Sequence, residues 1–164
     1  MVNGRPELLN LKQLIGHFID HRHEVVVRRT TFELKKAEER AHILQGMIIA
    51  SDNIDEVITL IKASSNAEQA RQKLIEKFSL SEVQAKAIVE MRLRQLTGLE
   101  QDKLRAEYDE LLSTIEDLKD ILDNKDRRMA IIKTETNYVV EKYGDDRRSE
   151  INFCLLYTSP SPRD

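Results

Sequence analysis

The 164-residue chain is poor in the residues that interrupt or cross-link a fold. It has one cysteine, three prolines, five glycines and no tryptophan, and aromatics make up 5% of it. With Cys154 alone there is no disulfide frame and no cysteine zinc site, and a reducing, cytoplasmic setting is the default. Two of the prolines, Pro160 and Pro162, lie in the last five residues, so the body is nearly free of helix breakers. Scarce glycine argues against a phosphate-cradling loop, and indeed no Gly-Lys-Ser/Thr motif occurs. No Ser/His/Asp signature for nucleophilic chemistry is present either. Nor is there an apolar run near the roughly 20 residues that span a bilayer. Met1 leads into polar Asn3-Gly4-Arg5-Pro6, which does not read as a signal peptide.

What remains is rich in Leu, Ile, Ala, Glu, Lys and Arg, with 34% charged residues and a mean hydropathy of -0.49. That composition favours long helices with solvated faces over a compact globule. The net charge of -3 is unevenly spread. Residues 1–50 hold 8 Lys/Arg against 6 Asp/Glu, residues 51–124 hold 10 against 16, and residues 125–164 hold 8 against 7. Such a balance is unlike a nucleic-acid sleeve, though it permits local basic patches at both ends.

Asn10 followed by Gln13 has capping-box spacing, and from there to about Ala50 no proline intervenes. Leu11, Phe18, Val25 and Phe32 recur every seven residues, with Ile15, Ile19 and Val26 beside them and Ala37, Ala41, Leu44 and Ile48 beyond. A helix of about 40 residues is about 60 Å long and requires a partner along its length. Asp52-Asn53 marks a break. Short helices are expected around Ile54–Ile61, from Ser65 (with Glu68 three residues on) to Phe78, and from Ser81 (with Gln84) to about Leu96, stopping at Thr97-Gly98. From Leu99 onward Leu104, Tyr108, Leu111, Ile115, Leu118 and Leu122 are spaced 4, 3, 4, 3, 4, a narrow seam for one neighbouring helix. A further helix is expected from about Asp126 to Tyr143, capped by Gly144.

The economical arrangement is all-α: a long antiparallel two-helix coiled coil with a small helical head. Its parts are residues 1–50 (lead-in and descending helix), 51–98 (head), 99–151 (ascending helix and the helix after it) and 152–164. The last stretch has no helical period and reads as a non-native tail, translated from sequencing adaptor. The seam is assigned to Phe18, Val25 and Phe32 against Leu104, Leu111, Ile115 and Leu118. Glu82–Leu96 carries apolar residues around more of its circumference than a half-buried helix needs, so Ile88, Met91, Leu93 and Leu96 are assigned to head packing or to contact with another chain.

Four histidines invite a metal reading. His17 and His21 are four apart, yet no carboxylate completes a pattern, and a solvated basic face fits them better. His42 reads as a hydrogen-bonded structural histidine. Arg22, Arg28 and Arg29 form a basic cluster that could touch duplex DNA, pair with the acidic 99–122 helix, or cap carbonyls.

Several blocks resemble the breakage-reunion subunits of the type IIA DNA topoisomerases. They include Asn3-Gly4-Arg5-Pro6 with Leu9-Asn10-Leu11-Lys12, His21-Arg22-His23-Glu24-Val25-Val26 with Arg28-Arg29-Thr30, Arg40-Ala41-His42-Ile43-Leu44, and Gln84-Ala85-Lys86-Ala87-Ile88 with Met91-Arg92-Leu93. Tyr143-Gly144-Asp145 and Arg147-Arg148 close the series, and Leu96-Thr97-Gly98-Leu99-Glu100 favours the gyrase branch over topoisomerase IV. The resemblance covers about residues 1–151. It implies a bacterial isomerase that passes one duplex through another, with Mg2+ and ATP handled through the gyrase B subunit and no cofactor held by this segment. It also implies that the head is a homodimerising exit gate. The family's catalytic tyrosine follows an arginine, and none of Tyr108, Tyr138, Tyr143 and Tyr157 does, so this segment alone is expected to be inactive. A stand-alone coiled-coil scaffold and a DNA-binding helix pair are the competing readings. An Arg-Tyr in a winged-helix pattern upstream in the gene would exclude the first. Salt-dependent duplex binding, lost on charge reversal at the arginines, would support the second.

Overall fold

The computed structural model describes residues 4–91 and 98–149, with the side chains of 98 and 99 left aside. These residues form six helices: α1 (Leu11–Asp52), α2 (Ile54–Lys62), α3 (Ala67–Phe78), α4 (Glu82–Val89), α5 (Gly98–Asp123) and α6 (Lys125–Tyr143). The fold is all-α. No described helix is long and apolar enough to cross a membrane.

The long helix α1 starts where the capping box places it. The Asn10 side chain accepts from the Gln13 amide at 2.9 Å, and the Gln13 side chain accepts from the Asn10 amide at 3.0 Å. The helix ends at Asp52, and Asn53 returns a hydrogen bond to the Ile49 carbonyl at 2.9 Å. α5 then runs antiparallel along the C-terminal half of α1, and α6 along its N-terminal half. Ion pairs fix that direction. Arg105 meets Asp52 at 2.5 Å, Lys119 meets Glu38 at 3.0 Å, and Glu135 meets Arg29 at 2.9 Å.

The α1 side of the contact is not the heptad stripe that sequence spacing suggests. Phe32 is 67% exposed, Phe18 55% and Leu11 72%, while Val25 is half-buried. The buried line is Val26, Thr30, Ala37, Ala41 and Leu44. Neighbouring positions lie about 100° apart on a helix, so a shift of one residue swings the large side chains outward. Small residues win the contact because they let the two backbones approach: Ala37 and Ala41 face Ile115 and Leu118, with Leu34, Tyr108 and Leu111 packed against them. On α5, Leu104 and Leu111 are half-buried, and Ile115, Leu118 and Ile121 are buried.

The second strand of the hairpin is broken at Asn124. Its side chain accepts from the amides of Asp126 and Arg127 and so starts α6 afresh. Arg128 reaches back to the terminal carbonyls of α5, donating to Ile121 at 3.0 Å and also to Leu122. α6 ends at Tyr143 with Gly144 as its cap, whose amide donates to the Val140 carbonyl at 2.7 Å.

The head is built around the last turns of α1. Ala50, Val57, Leu74, Leu80, Ala85 and Ile88 form its aliphatic core, joined by Ile49, Leu60, Ile75, Phe78 and Val89. Two local expectations are corrected here. Asn66, not Ser65, caps α3, accepting from the Gln69 amide at 2.8 Å; Ser65 bonds the Gln69 side chain instead. And α4 stops at Val89, well before Leu96, because Glu90 and Met91 close the last turn back onto Lys86 and Ile88. Leu93 and Leu96 lie outside the described residues.

Candidate partner-contact surfaces

Three surfaces carry the residues singled out above. The first is in the head. α2 and α4 diverge over a groove of about 250 Å³ lined by Ala50, Ile54, Val57, Ile58, Ile61 and Lys62, with Ile88, Val89 and Met91. Its chemistry is branched aliphatic with one cation, Lys62, at the rim. Of the residues assigned to a head contact, Ile88 is 4% exposed and belongs to the head core, so it packs the head rather than presenting a face. Met91 is half-buried at the groove. Sequence alone does not assign Ile54, Ile58 and Ile61 of α2 to this surface. The short amphipathic period carried the signal, but an apolar helix face looks the same whether it meets its own core or a partner.

The second surface is the arginine cluster. Arg22 and Arg29, one above the other on α1, converge on Glu135 of α6. Burial raises the Glu135 carboxyl toward protonation, but hydrogen bonds and charge from Arg29 and then Arg22 outweigh it and hold the group below the usual glutamate range. The two guanidiniums are therefore clamps between α1 and α6, with the partner on α6 rather than on the acidic 99–122 helix. Arg28 faces away and pairs with Glu24 one turn back at 2.9 Å. The three arginines thus divide between two partners, Arg22 and Arg29 on α6 and Arg28 along α1.

Linkage gives the clamp a pH signature. A carboxylate depressed in the folded state contributes stability above its unfolded pKa, about 4.3, and loses it as pH falls through the folded value. The thermal midpoint is expected to drop on acidification below about pH 4.3, and Glu135→Gln is expected to flatten that drop. At neutral pH the same substitution should cost about 1 kcal/mol, because the side chains are partly exposed. An unaltered acid slope in the variant would remove Glu135 from this role.

The third surface is the open end of the hairpin. Of thirteen exposed large hydrophobics among the described residues, nine are there: Leu8, Leu11, Leu14, Ile15 and Phe18 on one side and Tyr138, Val139, Val140 and Tyr143 on the other. Phe18 stands between two grooves of about 610 and 310 Å³. Apolar surface on this scale at one end is the kind that marks an interaction site.

The histidines do not assemble a metal site; among the described residues no three of His, Cys, Asp and Glu come together as one. His23 accepts from the Arg128 guanidinium at 2.9 Å. His42 lies within 2.7 Å of the Ser81 hydroxyl, with its ring exposed.

The described residues thus form a helical hairpin with an aliphatic head, braced by ion pairs between α1 and α5 and between α1 and α6. Residues 1–137 match the family model for the DNA gyrase/topoisomerase IV A subunit, and the chain belongs to that family. Among its relatives, the DNA gyrase A subunit of Ureaplasma parvum serovar 3 is 52% identical over 153 residues, which cover 93% of this chain and 18% of that protein. The DNA gyrase A subunit of Fibrobacter succinogenes is 52% identical over 155 residues, 94% of this chain and 17% of its own length. That of Streptococcus pneumoniae is 53% identical over 149 residues, 91% and 18%. The chain therefore spans less than a fifth of these relatives.

Proposed function

We propose that this chain is the strut-and-gate segment of a gyrase-type breakage-reunion subunit. The hairpin serves as a stiff arm, and the head meets the head of a second copy to form the exit gate for the transported duplex during ATP-dependent supercoiling. The observation that carries this reading is the aliphatic groove between α2 and α4, set at the end of the hairpin remote from the exposed Leu11–Phe18 and Tyr138–Tyr143 patch. A joint that must hold during DNA cleavage and then open calls for a contact of moderate size. The apolar open end faces the remainder of the breakage-reunion protein. Chemistry is supplied elsewhere: the nucleophilic tyrosine by that remainder, Mg2+ and ATP hydrolysis through the gyrase B subunit, all in the bacterial cytoplasm. No side chain of this segment is assigned to hold either group.

The test is made in the complete gyrase A subunit, paired with its B subunit. Ile58→Asp with Ile61→Asp puts charge into the groove without entering the buried core. Supercoiling is expected to fall about tenfold or more, a loss of at least about 1.4 kcal/mol of head contact, while DNA cleavage persists. Unchanged supercoiling would count against the gate.

A further inference from the structure

The aliphatic core of the head is non-directional, and packing of that kind tolerates sliding and rotation better than hydrogen bonds do. A polar side chain is buried where head meets strut. Gln84, on the first turn of α4, is 5% exposed. Its side-chain oxygen accepts from the Ser81 amide at 2.9 Å, and its amide group donates to the backbone carbonyl of His42 at 2.7 Å. That carbonyl belongs to the long helix α1, so the bond runs from head to strut rather than within either. The His42 ring answers from the other direction, within 2.7 Å of the Ser81 hydroxyl, which itself caps α4. Gly46, one turn beyond His42, makes room. A Cβ there would stand 2.7 Å from both Cβ and Cγ of Gln84, closer than real carbons approach. The hole at Gly46 admits the stem of Gln84, and the amide tip reaches the His42 carbonyl.

We infer that Gln84, Gly46, His42 and Ser81 form a neck lock that sets the rotation of the head about the strut, making them positioning residues for whatever the head touches. Removing the lock leaves the aliphatic core intact but frees the head to turn. Its consequence for two heads meeting rests on the gate reading above; the lock itself does not.

The experiment uses the complete gyrase A subunit with spin labels at positions 36 on the strut and 76 on the head, both exposed, diluted with unlabelled protein. Gln84→Met keeps the volume and loses every side-chain hydrogen bond. Gln84→Glu keeps the shape and the acceptor for Ser81 but loses the donor to His42. Both are expected to retain helicity and to broaden the strut-to-head distance distribution. Gly46→Ala, which pushes the stem aside, is expected to shift its mean instead. A general loss of stability would not separate broadening from shift in this way. Wild-type width and mean in a helical Gln84→Met or Gln84→Glu protein would overturn the lock. Broadened distances with head association untouched would keep the lock and remove the gate; broadened distances with association weakened about tenfold would support both.

Discussion

Leu74→Ala is expected to melt the head while leaving much of the hairpin helical. Leu74 is fully buried in the aliphatic core of the head, which among the described residues holds six buried side chains. Losing it removes about 2–5 kcal/mol, transfer and cavity together. That loss is a large part of the roughly 5–15 kcal/mol that holds an ordinary domain. Hydrogen exchange would read it directly. Amides of α2, α3 and α4 should lose protection by a factor of about 30 or more, since every 1.4 kcal/mol is tenfold. Amides near Ile115 on α5 should change far less. A uniform loss along the whole chain would mean that head and hairpin unfold as one unit.

Leu111→Ala combined with Leu118→Ala is expected to act in the opposite place. Leu118 is 9% exposed against Ala37 and Ala41, and Leu111 is half-buried beside it. Leu118→Ala should cost about 2–3 kcal/mol and Leu111→Ala less, because the contact is one helix deep and water already reaches its edges. Alanine facing alanine leaves Ile115, with Leu34 and Tyr108 beside it, to hold that stretch, so the middle of α1 and α5 should part before the head does. Unchanged thermal unfolding of the double variant would contradict the strut.

How far these parts are readable in the sequence depends on how local their causes are. The α5 stripe is legible because Leu104, Tyr108, Leu111, Ile115 and Leu118 are large and keep a strict period. The α1 stripe is harder. Phe18 and Phe32 dominate the pattern by size, yet the helix pair closes on Thr30, Ala37 and Ala41, whose smallness is the reason they are chosen and also the reason they are inconspicuous. The capping box at Asn10 is legible because three residues decide it. The end of α4 at Val89 is not, since apolar residues continue to Leu96 without a breaker. Glu135 as the partner of Arg22 and Arg29 depends on the chain turning at Asn124 and running back beside α1, over a separation of more than a hundred residues. Gln84 and Gly46 belong together only once α4 lies on α1. A lone glycine within the second half of a long helix was the one sign available, because glycine there costs about 1 kcal/mol against alanine and needs a reason.

The proposed gate requires that the remote end of a stiff arm meet its own copy. Sedimentation equilibrium of this chain, with circular dichroism on the same samples, tests that most directly. The expected outcome is a helical chain in a concentration-dependent monomer–dimer equilibrium, shifted to monomer by Ile58→Asp and Ile61→Asp. A fully helical chain that stays monomeric at every concentration, or a dimer indifferent to those two substitutions, would contradict it.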